Sequence, residues 1–131
     1  MKYHNHPAQG YGSHTYTSSR TINGINFVYP NLSVNFGNTT YQWSQMPNVL
    51  NASSTTAQVN AVATLMYHIG VANEMAYSPY ASGSNNYYGC RINSQRASSQ
   101  ESLARYFKYR PDMAVAEREA YSHDQIGRAH V

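Results

Sequence analysis

The only thiol in the chain is Cys90, which lies between Gly89 and Arg91. A neighbouring cation favours the thiolate, which is the nucleophilic form of cysteine. A cysteine nucleophile also needs a general base, and His68 or His14 can in principle supply one. Nothing in the spacing selects either histidine. We therefore favour the alternative, in which Cys90 is an ordinary residue of a loop rich in glycine and tyrosine. A single cysteine also excludes an internal disulfide and a cysteine-rich zinc site.

A second chemical feature is the His-x-His pair formed by His4 and His6. Two imidazoles make a metal site only with further histidine or carboxylate ligands at suitable positions. His14 is nearby, but no acidic residue precedes Glu74. A helix that ends at this point explains the pair better, because cations are stabilised at the partially negative C-terminal end of a helix. We therefore expect no metal here.

The remaining side chains form no catalytic set. Paired carboxylates at a useful spacing and glycine-rich phosphate motifs are both absent from the sequence. Three Asn-x-Ser/Thr sequons arise readily in a chain rich in asparagine and serine, so we assign them no role. We expect no cofactor. The acidic residues are Glu74, Glu101, Asp112, Glu117, Glu119 and Asp124, and the sequons begin at Asn31, Asn38 and Asn51.

The composition limits the class of protein. A chain of 131 residues is one domain or part of one. Charged residues make up only 11%, and the many uncharged polar residues, with 13 tyrosines, are typical of secreted proteins. The net charge of +3 comes from scattered lysine and arginine, so the sequence predicts no nucleic-acid partner. It contains no apolar stretch long enough to span a bilayer and no signal peptide, and we expect no membrane partner.

The elements that position these groups follow an α+β pattern, with strands and helices in separate runs. Residues 11–29 predict a short hairpin in which positions 14–16 and 25–27 alternate around an Asn23-Gly24 turn. Residues 32–36 alternate apolar and polar side chains, which predicts a half-buried strand. The irregular stretch that follows is expected to be anchored to a core by Tyr41, Trp43 and Met46.

The clearest helix is predicted over residues 55–69. Ser53 and Ser54 are the candidate N-caps, and Gly70 stands where a left-handed C-cap is expected. Residues 71–77 are predicted to be extended. A second helix begins at Ser98, in a Ser-x-x-Glu capping box, and stops before Pro111. The apolar positions expected to form the core are Val62, Leu65, Met66, Ile69, Leu103 and Phe107.

Both ends of the sequence have the character of cut ends. Residues 1–4 suit the last turn of a helix, and Pro7 blocks its continuation. One isolated turn does not hold itself together, so we expect the chain to begin within a helix. Residues 126–131 read IGRAHV, which resembles the translation of a common short-read sequencing adapter, and we expect them not to be native. The expected domain fragment is therefore 1–125.

Five segments, in the correct order, resemble the streptopain family of bacterial cysteine peptidases, which includes interpain and has a papain-like fold. The exit of the family's central helix resembles MKYHNHPAQGYGSHTYT. A strand followed by Tyr-x-Trp-x-x-Met/Leu-Pro resembles LSVNFGNTTYQWSQMP. A helix and a Ser-Gly-Ser loop resemble AVATLMYHIGVANEMAYSPYASGS, and the following helices resemble ESLARYFKY and AYSHDQ. The resemblance covers nearly all of residues 1–125.

The resemblance implies peptide-bond hydrolysis by a cysteine–histidine pair. In the family, a thiolate at the start of the central helix attacks the peptide carbonyl, and the helix N-terminus helps to keep it ionised. That position falls about two to three helical turns before Met1. The partner histidine follows well after Asp124. Both catalytic residues are thus implied to lie outside the chain, and Cys90 does not match the family's nucleophile.

The resemblance assigns Ser82, Gly83 and Ser84 to the loop that lines the substrate groove and receives an extended peptide. The alternative is an ordinary surface turn. The implied fold is part of a papain-like domain, namely its helical half with some antiparallel strands. The implied partners are a protein or peptide substrate and, in the complete protein, a propeptide or inhibitor domain.

The resemblance implies a secreted endopeptidase, of which this fragment alone is expected to be inactive and marginally stable. The alternative function is a non-catalytic extracellular binding domain. In that case, exposed tyrosine and tryptophan side chains would stack on sugars or peptides.

Overall fold

The structure is a computed structural model that describes residues 1–17, 19–28, 30–75, 77 and 98–113. The described chain is α+β, as predicted, with short strands first and two helices after them. Three single 3-10 turns lie at Lys2–His4, Phe36–Asn38 and Trp43–Gln45. The regular elements are β1 (Ser13–Tyr16), β2 (Ser19–Ile22), β3 (Ile25–Val28), β4 (Leu32–Asn35), α1 (Thr56–Ala72) and α2 (Ser99–Phe107).

The four strands form two separate antiparallel pairs, β1 with β4 and β2 with β3. Asn23 and Gly24 form the predicted turn of the β2–β3 hairpin, with φ of 50° and 79°, as a tight hairpin turn requires. The predicted pairing of positions 14–16 with 25–27 is wrong, because His14 lies opposite Val34. Burial explains the difference. The β1–β4 pair buries Tyr16 and Val34 in the core, whereas all four residues of β3 are exposed.

Helix α1 begins one residue later than the predicted serine caps. Thr55 is the N-cap: its hydroxyl accepts from the Gln58 N–H at 3.3 Å, and the Gln58 side chain accepts from the Thr55 N–H at 2.9 Å. Ser53 and Ser54 are engaged elsewhere, because both are hydrogen-bonded to Asn51. The prediction of a serine N-cap is therefore wrong, and a reciprocal capping box at Thr55 replaces it.

The C-terminal end of α1 also differs from the prediction. The helix continues through Gly70 to Ala72, and the chain then turns at Glu74, which has φ of 49°. Gly70 is thus a buried residue inside the helix. A Cβ atom there would lie 1.9 Å from the hydroxyl oxygen of Tyr77, so this glycine serves close packing rather than a cap. The prediction of extended structure is wrong at the first two positions of 71–77, which are helical.

The predicted apolar stripe of α1 is rotated in the structure. The helix turns its Ala61, Leu65, His68 and Ala72 positions inward, at spacings of four and three residues. Met66 is displaced from Leu65 by one residue, or about 100° around the axis, and its side chain is 64% exposed. Its assignment to the core is wrong. Of the other predicted positions, Phe107 is buried, and four are partly buried against the core: Val62, Leu65, Ile69 and Leu103.

Aromatic rings fill the centre of the core. Phe36 is fully buried and stacks on Tyr106 of α2, with ring centroids 4.6 Å apart. Its ring also meets Phe107 edge-on at 5.6 Å and His68 edge-on at 5.4 Å. The 3-10 turn that follows β4 is thereby joined to both helices. The three predicted anchors of the irregular stretch, Tyr41, Trp43 and Met46, are all buried.

Helix α2 begins where the sequence predicts. The Ser98 hydroxyl accepts from the Glu101 N–H at 3.1 Å and caps the helix. The helix ends at Phe107, and Lys108 follows in the left-handed region with φ of 58°. The Ser102 hydroxyl donates to the Ala72 carbonyl at 2.6 Å, which ties α2 to the end of α1.

Candidate functional site

Three of the four histidines in the described residues have separate hydrogen-bond partners, and the fourth, His4, is exposed. His68 Nδ1 lies 3.0 Å from the Tyr41 hydroxyl, and His14 Nε2 lies 2.9 Å from Glu74 Oε1. His6 Nε2 lies 3.3 Å from the Lys108 carbonyl oxygen. Within the described part of the chain, no three histidine, cysteine or acidic side chains are grouped closely enough to hold a metal. Cys90 lies outside the described residues.

The His68–Tyr41 pair is buried and uncharged. Burial lowers the pKa of His68 and raises the pKa of the Tyr41 hydroxyl. Both shifts favour the neutral forms at neutral pH, and the hydrogen bond between them satisfies two polar groups inside an aromatic core. This histidine therefore serves packing, and it is not arranged as the base of a nucleophile.

The first residues of the chain are fixed against the core. The Trp43 indole N–H donates to the Pro7 carbonyl at 2.8 Å. The backbone N–H of Tyr41 donates to the Ala8 carbonyl at 2.9 Å, and that of Tyr11 donates to Tyr106 at 2.9 Å. The segment predicted to leave the family's central helix thus has a defined position. The Trp43 ring is only 8% exposed, so it is not available to stack on a sugar or a peptide.

The chain that leaves α1 is held by two side chains of β1. His14 bonds to the Glu74 carboxylate, and the Tyr16 hydroxyl donates to the Met75 carbonyl at 2.8 Å. The Met75 N–H in turn donates to the Gly70 carbonyl at 3.0 Å. We call these residues, His14, Tyr16, Glu74 and Met75, the exit clamp. The predicted groove residues Ser82, Gly83 and Ser84 follow in sequence and lie outside the described residues.

The exit clamp was not predicted, although one signal for it is present in the sequence. His14 and Tyr16 are two apart in a strand, so their side chains share one face. Glu74 is the first acidic residue of the chain and a natural partner for a histidine. The missing information was which distant segment lies against that face.

A cleft of about 380 Å³ lies between residues 40–45 and the first half of α1. It is lined by Ala57, Ala61 and Tyr41 together with polar side chains, which are amides and hydroxyls without formal charge. It contains no nucleophile with an adjacent base, so we assign it no catalytic role. The polar side chains are Thr40, Gln42, Gln45, Asn60 and Thr64.

Comparison with solved structures defines the class of protein. The chain resembles interpain A, a cysteine protease of Prevotella intermedia, with a TM-score of 0.67 and 34% identity over 96% of this chain. A fragment of prointerpain A from the same organism gives a TM-score of 0.68 and 32% identity over 98% of this chain. The described fold is thus part of a papain-like cysteine peptidase domain.

The sequence comparison gives the family. The model of the Peptidase C10 family matches residues 1–129, and the chain belongs to this family. Streptopain of Streptococcus pyogenes is 34% identical over 85 residues, or 64% of this chain. The predicted streptopain-like identity is therefore confirmed.

The chain spans only part of these relatives. It covers 21% of streptopain, 46% of the interpain A chain and 37% of the prointerpain A chain. Neither described helix has the combination of length and apolar character needed to cross a membrane.

Proposed function

We propose that the complete protein is a secreted cysteine endopeptidase that hydrolyses peptide bonds through a cysteine–histidine pair outside this chain. The observation that carries the proposal is the match of residues 1–129 to a family of cysteine peptidases. The 131-residue chain alone should have no peptidase activity.

The proposed substrate is a protein or peptide bound in an extended conformation. Ser82, Gly83 and Ser84 are the proposed groove residues, because small side chains leave backbone groups accessible to a peptide strand. A propeptide is a further proposed partner, and the solved structure of a proprotein form of interpain A supports it. We propose no nucleic-acid partner and no membrane partner.

The proposal is tested by extending the reading frame on both sides and expressing the longer protein. We expect a cysteine about two to three helical turns before Met1 and a histidine after residue 125. The longer protein should cleave casein, and iodoacetamide should abolish the cleavage.

Two single substitutions make this test specific. Changing the upstream cysteine to alanine should abolish cleavage. Cys90→Ser is the matched control and should retain full activity, because Cys90 does not match the family's nucleophile. Loss of activity in Cys90→Ser, or an upstream helix without any cysteine, would overturn the proposed assignment.

A further inference from the structure

We infer that His14 and Tyr16 are positioning residues, which fix the direction in which the chain leaves α1 towards the substrate groove. The inference rests on the proposed function for the role of the groove, but the clamp itself is a property of the described residues. Met75, the last clamped residue, precedes Ser82 by seven positions. The clamp therefore acts on the part of the chain that continues in sequence to the proposed groove residues.

Two independent contacts hold this exit. Tyr16 is 8% exposed, and its hydroxyl donates to the main-chain carbonyl of Met75 at 2.8 Å. His14 contacts the residue before Met75, because its Nε2 lies 2.9 Å from the Glu74 carboxylate. Both donors project from the same face of β1, so one rigid strand orients two consecutive residues of the exit.

The base of the clamp is itself rigid. β1 pairs along its whole length with β4, and the His14 ring lies 5.5 Å from the ring of Tyr106 in α2. The side chains of His14 and Glu74 are only 20% and 16% exposed. A charge-assisted hydrogen bond that is largely shielded from water is stronger than a surface ion pair. The exit is therefore held from the sheet and is not left to the turn alone.

The clamp adds side-chain contacts to a helix end that the backbone already closes, through the Glu74 N–H to the Val71 carbonyl at 3.1 Å and the Met75 N–H to the Gly70 carbonyl at 3.0 Å. Glu74 has φ of 49°, in the left-handed region that a residue with a side chain adopts at an energetic cost. The contact of its carboxylate with His14 and the two backbone hydrogen bonds of the helix end together stabilise this conformation.

The test measures amide hydrogen exchange in the 131-residue chain, with the melting temperature recorded for each variant. Tyr16→Phe and His14→Leu should each speed exchange at Met75 and Tyr77 by about threefold to tenfold. His14→Gln, which keeps a donor for Glu74, should restore much of the protection. Thr15→Val is the matched control: it removes a hydroxyl on the opposite face of β1, which lies 2.7 Å from the Ser33 hydroxyl, and it should leave the exit unchanged.

Several outcomes would overturn the inference. It fails if exchange at Met75 and Tyr77 is the same in all variants. It fails equally if exchange rises throughout the chain together with a fall in melting temperature, because the two residues would then be merely structural.

The same variants in the longer protein link the clamp to catalysis. His14→Leu should raise KM more than it lowers kcat, and His14→Gln should restore KM. If the exchange result holds but the longer protein cleaves no peptide, the proposed function fails while the clamp stands. If cleavage occurs with an unchanged KM, only the link to the groove fails.

Discussion

His68 is buried between Tyr41 and Phe36, where a charged imidazolium would be poorly solvated. Burial lowers its pKa below the ordinary value of 6.5. Below pH 6.5 the unfolded chain therefore binds a proton that the folded chain does not bind. The free energy of unfolding should fall by about 1.4 kcal/mol for each pH unit between 6.5 and the lowered pKa, and this residue should have no effect above that range.

Urea denaturation between pH 8 and pH 5 measures this dependence. His68→Asn keeps a polar partner for the Tyr41 hydroxyl but does not titrate, so the part of the slope that His68 causes should vanish. An identical slope in the parent chain and in His68→Asn would show that folding does not lower the pKa of His68.

Gly10 is required by the close approach of two backbone segments. A Cβ atom at this position would lie 2.8 Å from the Phe36 Cβ and 2.9 Å from the Phe36 carbonyl oxygen. Because Phe36 is fully buried, it cannot move aside cheaply. Gly10→Ala should lower the free energy of unfolding by about 1–3 kcal/mol in urea denaturation.

Gly37→Ala is the matched control for this substitution. The nearest atom to its added Cβ would be the Gly12 nitrogen at 3.4 Å, which is close to an ordinary contact. Its effect should be clearly smaller. Equal losses in the two variants would mean that the contact with Phe36 is not the cause.

At the level of elements, the start of α1 depends on Thr55. Thr55→Ala removes the hydroxyl that accepts from Gln58 and should cost about 1 kcal/mol of stability. Thr56→Ala, one residue further on and exposed, should change stability by less than about 0.5 kcal/mol. Urea denaturation followed by far-UV circular dichroism measures both. A larger loss in Thr56→Ala than in Thr55→Ala would contradict the assigned cap.

Local signals predicted the elements well where one residue type decides the geometry. The Asn23-Gly24 turn, the Ser98 cap and the burial of Tyr41, Trp43 and Met46 were all predicted from the sequence. The pairing of β1 with β4 was not predicted, because pairing with β3 or with β4 satisfies the alternation of the β1 side chains equally well. The choice between them depends on which strand lies over the core, and that is a long-range property.

The same limit explains the errors in α1. Adjacent serines and a threonine offer equivalent caps, and the choice depended on Asn51, which engages both serines. Gly70 has the composition of a C-cap, yet it lies inside the helix because Tyr77 packs on it. Met66 was assigned to the core by spacing alone. Spacings of three and four residues mark more than one overlapping face of a helix. The segments that pack against the helix decide which of these faces is buried.

At the level of the whole molecule, the sequence predicted the family and the fold class but not the contacts around the exit of α1. The family follows from five segments in order, each of which is local. The exit clamp joins residues 60 positions apart, such as His14 and Glu74, and no periodicity encodes such a contact. The groove residues Ser82, Gly83 and Ser84 remain a prediction.

Phe36 joins the 3-10 turn that follows β4 to both helices, and the chain should therefore unfold as one unit. Phe36→Ala removes the ring that contacts His68, Tyr106 and Phe107 and should cost about 3–5 kcal/mol. That loss approaches the whole stability of a small domain.

The fluorescence of Trp43, now buried, should shift to the red while the helical circular dichroism signal falls at the same temperature. Ile25→Ala, at a 61% exposed position of β3, should change neither. Helical signal that persists after Trp43 is exposed would show that the helices fold independently of the aromatic core.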